Sequence, residues 1–281
     1  IKKSIIQDLL KRQFGEMGDH YAEMVRHPIE SKEQFFYRQR IRLFVTDDGS
    51  LGFRKSQSHQ IIPVNKCAIA RQEINEAFSH IKDDAAAEPL LTISSEIELQ
   101  WNPLDSKITL IFHINRQPRP ADLKHAKALL ENHDLFANIL FLGSNFATVF
   151  VDRIEETNSG YLGFDYVCGE NEQPLRLEWE AGCFCQVNLN QNFKMIDCVR
   201  TLAKGKNEAV LDLFCGMGNF SIPLAGKATS VMGIEGQGAS IRSARHNSEL
   251  NGLNNTTFLK SDMDSGLDKL IKEEKRFDCV I

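Results

Sequence analysis

The sequence predicts a parallel, doubly wound α/β domain over residues 181–281, preceded by an α+β block rich in antiparallel strands over residues 29–180. Three observations carry this. From about residue 187, short apolar runs alternate with amphipathic ones, and strands alternating with helices form a parallel sheet with right-handed crossovers. Residues 29–180 instead join period-2 runs through turn residues. A two-glycine loop, "CGMGN", stands between a strand and the helix after it, at the carboxyl edge of the predicted parallel sheet.

The elements follow in order. Residues 1–26 read as helical, with Ile5, Ile6, Leu9 and Leu10 at helical spacing, and the segment closes at His27-Pro28 to give a helical piece over 1–28. "FFYRQRIRLFV", "TDDGS" and "LGFRKS" read as strand, Asp-Gly turn, strand. "EINEAFSHI" is a short helix. "EIELQW" and "ITLIFHI" flank the turn "NPLDSK", and "PADLKHAKALLEN" is a helix with proline near its start. "NILFLG", "ATVFVDRI" and "YLGFDYV" are three further strands. Beyond them "NQNFKMIDCVRTLA" is a helix with Met195, Ile196, Val199 and Leu202 on one face. "AVLDLF", "SVMGIEG", "TTFLKSD" and "FDCVI" are strands, with "FSIPLAGKA" and "ASIRSARHNSELNG" as the intervening helices and a short helix before the last strand. The chain starts without methionine and stops inside an apolar run, so it reads as the middle of a longer protein.

No apolar run approaches the ~20 residues of a membrane helix. Seven cysteines form no small-domain disulfide framework and predict a reducing, cytoplasmic setting. The net charge of −5 is uneven: residues 1–70 carry 12 Lys/Arg against 8 Asp/Glu, and the rest is acidic. An acidic protein with local positive charge can still bind nucleic acid.

In "AVLDLFCGMGNFS", Gly216 and Gly218 let a ligand approach the backbone. Glu235 ends the next strand, 23 residues after Asp212, where nucleotide-binding folds hold a ribose hydroxyl. Asp262 ends the third strand, placed to face an adenine edge. A dinucleotide loop places a third glycine where this chain has Asn219 and Phe220. No pyrophosphate cradle is spelled out, which argues against a nicotinamide-dependent oxidoreductase. S-adenosylmethionine, an adenosyl cofactor without phosphates, fits better.

"LDLFCGMGNFSIPLA" followed by "GIEG" resembles the uracil-5 RNA methyltransferase family, and "DLFCGMGNF" is most similar to the bacterial branch acting on 23S ribosomal RNA. "FCQVNLNQNFKM", "YRQRIRLFV", "LGFRKSQSHQIIPVNKCAIA" and "INEAF" resemble other segments of that family, so the similarity covers nearly the whole chain. The resemblance implies a Rossmann-like S-adenosylmethionine-dependent methyltransferase domain, incomplete here. It makes Gln186, Phe214, Asn219, Glu235 and Asp262 cofactor-binding residues. It implies a catalytic cysteine, which adds at uracil C6 while C5 takes the methyl group, and a glutamate base, both beyond Ile281. No catalytic residue is visible in the chain itself. It also implies that segment 1–28 packs on the methyltransferase domain. A monomer is expected. Cys67, in "VNKCAIA", is where the family often places the fourth ligand of a [4Fe–4S] cluster, with the other three upstream of residue 1.

The remaining cysteines read as packing residues. Cys215 lies in the cofactor loop and Cys279 in a core strand. Cys183 and Cys185 lie two apart on one face of a strand, and Cys168 and Cys198 sit among packing positions. In "YRQRIRL", Arg38, Arg40 and Arg42 alternate with other residues and share one strand face, with guanidiniums ~6.5–7 Å apart along the strand. That spacing suits the phosphates of an extended RNA, and Arg54 and Lys55 extend the patch. The competing reading is a strand face paired to acids. Phe35, Phe36, Tyr37 and Phe53 read as core, with base stacking as the alternative. Ribosomal RNA is the expected partner. Transfer RNA methylation, or a non-catalytic RNA-binding protein on a degenerate methyltransferase fold, are the rival functions.

Overall fold

A computed structural model describes residues 2–152, 160–169, 173–203 and 208–281. Arg153 and Ile154 of the predicted strand "ATVFVDRI" lie outside the described residues. The chain divides into two compact units, Ile1–Gln34 and Phe35–Ile281.

In the first unit the single predicted helix is two. α1 (Lys2–Phe14) stops at Gly15, whose φ of +52° is left-handed, and α2 (Gly18–Met24) turns back against it. A Cβ on Gly18 would lie 2.6 Å from Lys11 Cα, so glycine permits the close approach. Gln7 Nε2 donates to the Ala22 carbonyl at 2.9 Å, and Lys11 pairs with Asp19 at 2.8 Å. The unit runs on to Gln34 rather than stopping at residue 28.

The second unit opens with β1 (Arg40–Val45), β2 (Leu51–Arg54), β3 (Ile61–Pro63), α3 (Gln72–Asp83), α4 (Glu88–Thr92), β4 (Ser94–Trp101), β5 (Ile108–Ile114), α5 (Pro120–Asn132), β6 (Phe136–Leu142) and β7 (Val149–Asp152). The strands form one sheet in the order β3-β2-β1-β4-β5-β6-β7. Its pairs are antiparallel except β5–β6, which α5 connects as a parallel crossover within the block read as antiparallel. Ile74, Phe78 and Ile81 of α3 and Ala126 and Leu129 of α5 pack with Leu99, Leu110 and Phe112 into one core. Strand alternation sends Glu96, Glu98 and Gln100 to the opposite face.

β8 (Tyr161–Tyr166) and β9 (Leu175–Glu180) form an antiparallel hairpin. α6 (Leu189–Leu202), β10 (Ala209–Leu213), α7 (Ser221–Ala225), β11 (Ser230–Glu235), α8 (Gly238–Leu250), β12 (Thr256–Lys260), α9 (Met263–Lys272) and β13 (Cys279–Val280) follow. Their sheet, ordered β12-β11-β10-β13, is wholly parallel, as the strand–helix alternation predicts.

The hairpin lies on the N-terminal side of the division expected at residue 180. Leu162, Phe164, Leu177 and Trp179 are buried with Ile222, Ile241, Ala244 and Phe258, so the hairpin shares its core with the parallel domain. Side chains of α8 and the turn after it complete the free edge of β9. Ser243 Oγ accepts from Glu180 N at 3.1 Å. Asn247 accepts from Glu178 N at 2.7 Å and donates to Glu178 O at 2.8 Å. Asn251 does the same at Arg176, at 3.0 and 2.7 Å. Four helical residues rise about 6 Å and two strand residues about 6.7 Å, so the two rows keep step. β9 has no counterpart among the predicted strands, although "LRLEWE" alternates throughout. Among the described residues no helix is long and apolar enough to cross a membrane.

Candidate cofactor-binding site

The carboxyl ends of β10, β11 and β12 lie side by side, with Leu213 in register with Ile234 and Glu235 with Lys260. This edge gathers the loop 214–219, Glu235 and Asp262. The loop is conformationally special. Phe214, Gly216 and Gly218 have φ of +59°, +56° and +84°. A bulky residue rarely adopts positive φ, and such strain concentrates at functional sites. Phe214 is also 72% exposed. Nothing lies within 4 Å of where a Cβ on Gly216 would be, so the backbone there is open to a ligand.

Glu235 fastens the loop from the next strand. Its carboxylate accepts from Gly216 N at 3.2 Å and from Gln237 N at 2.7 Å. Each oxygen keeps a lone pair for a further donor. Asp262 Oδ1 accepts from Ser265 N at 2.9 Å and caps α9. Hydrogen bonds from the Ser265 backbone and side chain lower the Asp262 pKa. The Gln186 carbonyl accepts from Gln39 Nε2 at 2.7 Å, and Gln186 itself is half-buried. Asn219 forms a reciprocal amide pair with Asn192 of α6, at 2.8 and 2.9 Å.

Asp212, Ser221 and Asn247 also support the loop, in roles that the sequence does not show. Asp212 is buried beneath it and accepts from Ser221 Oγ at 2.5 Å. Burial pushes its carboxyl up to about 6, with nearby Glu235 adding to the rise against the Ser221 bonds. Asn247 Nδ2 donates to the Met217 carbonyl at 2.9 Å. The residues present therefore fit a phosphate-free adenosyl group: an open glycine backbone, a carboxylate for ribose hydroxyls, and an exposed aromatic ring.

Cys215 packs under the loop. A Cβ on Gly233 would lie 2.6 Å from its Sγ, so that glycine makes its space. Burial, with Asp212 and Glu235 nearby, pushes its thiol up, which opposes the thiolate a nucleophile needs. Cys183 and Cys185 lie in an irregular segment rather than a strand, both buried and pushed up by burial to about 11. Cys67 sits in a turn braced by Asn75, which accepts from Cys67 N at 2.8 Å and donates to Cys67 O at 3.0 Å. Among the described residues no three His, Cys, Asp or Glu come together as a metal site, so the donor set for an iron–sulfur cluster is not assembled here.

Two arginines of the stripe are paired to acids. Arg40 Nε donates to Glu98 at 2.8 Å, and its Nη1 donates to the Cys183 carbonyl at 2.7 Å. Arg42 pairs with Glu96 at 3.1 Å and also with Glu98. Arg40 thus joins the large sheet to the segment leading into the parallel domain. The Arg38 backbone bridges Ala70 and Asn188. Arg54 and Lys55 are exposed, with the Arg54 guanidinium stacked 4.3 Å over Phe44. Phe35 and Phe36 are exposed rather than core, while Tyr37 and Phe53 are half-buried.

The 23S rRNA (uracil(1939)-C(5))-methyltransferase RlmD of Shewanella sp. (strain MR-4) is 29% identical over 95% of this chain. Its counterpart in Tolumonas auensis is 31% identical over 84%. The chain spans 58% and 51% of these two relatives' lengths. The crystal structure of Pyrococcus abyssi tRNA (uracil-54, C5)-methyltransferase in complex with S-adenosyl-L-homocysteine shares the fold. Its TM-score is 0.64 at 21% identity, over 91% of this chain and 61% of that one. Residues 7–279 match the tRNA (uracil-5-)-methyltransferase family, and the chain belongs to that family.

Proposed function

We propose that this chain carries the S-adenosylmethionine site and part of the RNA surface of an enzyme that methylates uridine C5 in RNA, with 23S ribosomal RNA as substrate. The observation that carries the reading is the left-handed loop of Phe214, Gly216 and Gly218 held by the Glu235 carboxylate. The names of the ribosomal relatives support the substrate, as does the wording of "DLFCGMGNF". Transfer RNA is the second reading, favoured by the description of the matched family.

When bound, S-adenosylmethionine supplies an electrophilic methyl group on its sulfonium. Glu235 would take the ribose hydroxyls and Asp262 the adenine edge. The backbone at Gly216 and Gly218, with Phe214, Asn219 and Gln186, would hold the rest. Arg54 and Lys55 would contact RNA phosphates, and Arg38 with them; Arg40 and Arg42 are both paired to Glu98, and Arg42 also to Glu96. Uracil C5 is a weak nucleophile until a thiolate adds at C6 and breaks the 5,6 double bond. Cys215 is unsuited to this by burial, so we assign the thiolate, and the base that removes the C5 proton, to residues outside this chain.

The test uses the full-length protein that contains this chain, S-adenosylmethionine and 5-fluorouridine-substituted 23S ribosomal RNA fragments on a denaturing gel. Fluorine at C5 blocks proton removal, so the protein is expected to remain covalently attached and to run as a shifted band. Absence of that band with ribosomal fragments and with transfer RNA alike would overturn the reading.

A further inference from the structure

We propose that Asn192, on α6, is a positioning residue for the cofactor loop, acting through its reciprocal amide pair with Asn219. This rests on the cofactor reading above. Asn192 is 2% exposed, so its amide is removed from water and must be satisfied within the protein. Its Nδ2 donates to Asn219 Oδ1 at 2.8 Å, and its Oδ1 accepts from Asn219 Nδ2 at 2.9 Å. The two bonds close a ring. Turning either amide over would set oxygen against oxygen and nitrogen against nitrogen. Asn192 therefore fixes which edge of the half-exposed Asn219 amide is left for a ligand.

The position of the pair gives it leverage. Asn219 follows Gly218, whose φ of +84° and missing side chain leave the loop little stiffness of its own. Asn192 lies in the first turn of a helix capped by Asn188, whose Oδ1 accepts from Gln191 N at 3.0 Å. That cap comes two residues after Gln186. The pair thus ties together the two segments that carry the expected cofactor contacts. Neither member reveals the other in sequence, because they lie 27 residues apart.

Chemistry offers a readout that simple loss of packing would not give. In Asn192→Asp the new carboxylate still accepts from Asn219 Nδ2, but its other oxygen faces Asn219 Oδ1 with no proton between. Protonation restores both bonds, because a carboxylic acid and an amide form the same ring. Burial raises the pKa of such an acid, which brings the repair into an accessible range. Asp212 and Glu235 near the loop and Lys194 on α6 also carry charge, so each variant is compared with the wild type at the same pH.

The experiment is titration of S-adenosylhomocysteine into wild type, N192D and N192S at pH 8 and pH 5, with circular-dichroism melts confirming folding. N192D is expected to bind about tenfold more weakly than wild type at pH 8 and within about twofold at pH 5. N192S, which loses the ring without adding a charge, is expected to bind about tenfold more weakly at both values. Should N192D fail to fold at pH 8, the N192S comparison decides. Wild-type affinity in N192S, or an N192D deficit that acid does not repair, would overturn this inference alone. No binding by the wild type would overturn the cofactor reading and this inference with it.

Discussion

Glu98→Ala is expected to destabilise the protein by about 3–5 kcal/mol, because it strips the counter-charge from the largely buried Arg40 guanidinium. The Glu98 side chain is wholly buried, and that of Arg40 is 16% exposed. Glu98 accepts from Arg40, Arg42, His113 Nε2 at 2.9 Å and Gln100 Nε2 at 3.2 Å. Without it the Arg40 guanidinium keeps its bond to the Cys183 carbonyl but has no acid. Urea unfolding should show a lower midpoint at unchanged slope. The pH dependence has a definite sign. Burial alone would push the Glu98 carboxyl up; the His113 bond and the charges of Arg40 and Arg42 outweigh it and bring it down to about 2. A lowered folded-state pKa gives stability that is present above the unfolded value of about 4.5. That stability, about 3 kcal/mol, is lost as pH falls toward 2. The wild type should therefore lose more stability over this window than Glu98→Ala. Equal acid sensitivity would show that the cluster contributes little.

Asn247→Leu should cost about 2–4 kcal/mol, at ~1–2 kcal/mol for the buried Met217 carbonyl and less for each of the two part-buried Glu178 groups left without a partner. Asn247 is fully buried, and its amide serves Glu178 N, Glu178 O and Met217 O. Leucine has nearly the same shape, so the loss would report hydrogen bonding rather than a cavity. Hydrogen exchange at the Glu178 amide should accelerate in step with the lower midpoint. A cost below about 1 kcal/mol would mean that the α8 row is not what holds the hairpin.

The parallel domain was legible because its signals are local. "AVLDLF", "SVMGIEG" and "TTFLKSD" each end at the sheet edge where the structure brings their terminal residues together. The glycines of the loop and Glu235 could be named from spacing for the same reason. What escaped was set by pairing across distance. Alternation placed Arg40 and Arg42 on one face, but it could not show that Glu98 arrives there from 56 residues beyond Arg42. The β8–β9 hairpin carries an antiparallel pattern, and only its contacts with α8 show which core it joins. Strand–helix–strand order at β5, α5 and β6 did hold the crossover signal; neighbouring hairpin turns masked it. Asn192 and Asn247 look like unremarkable polar positions of amphipathic helices until the loop folds against them.

The measurement that bears most directly on the cofactor reading is calorimetric titration of this chain with S-adenosylhomocysteine and, separately, with NAD, in wild type and Glu235→Ala. The account predicts saturable one-site binding of S-adenosylhomocysteine, about tenfold weakened by Glu235→Ala, and no binding of NAD. Binding of NAD at the same site, or no S-adenosylhomocysteine bound by the folded wild type, would contradict it.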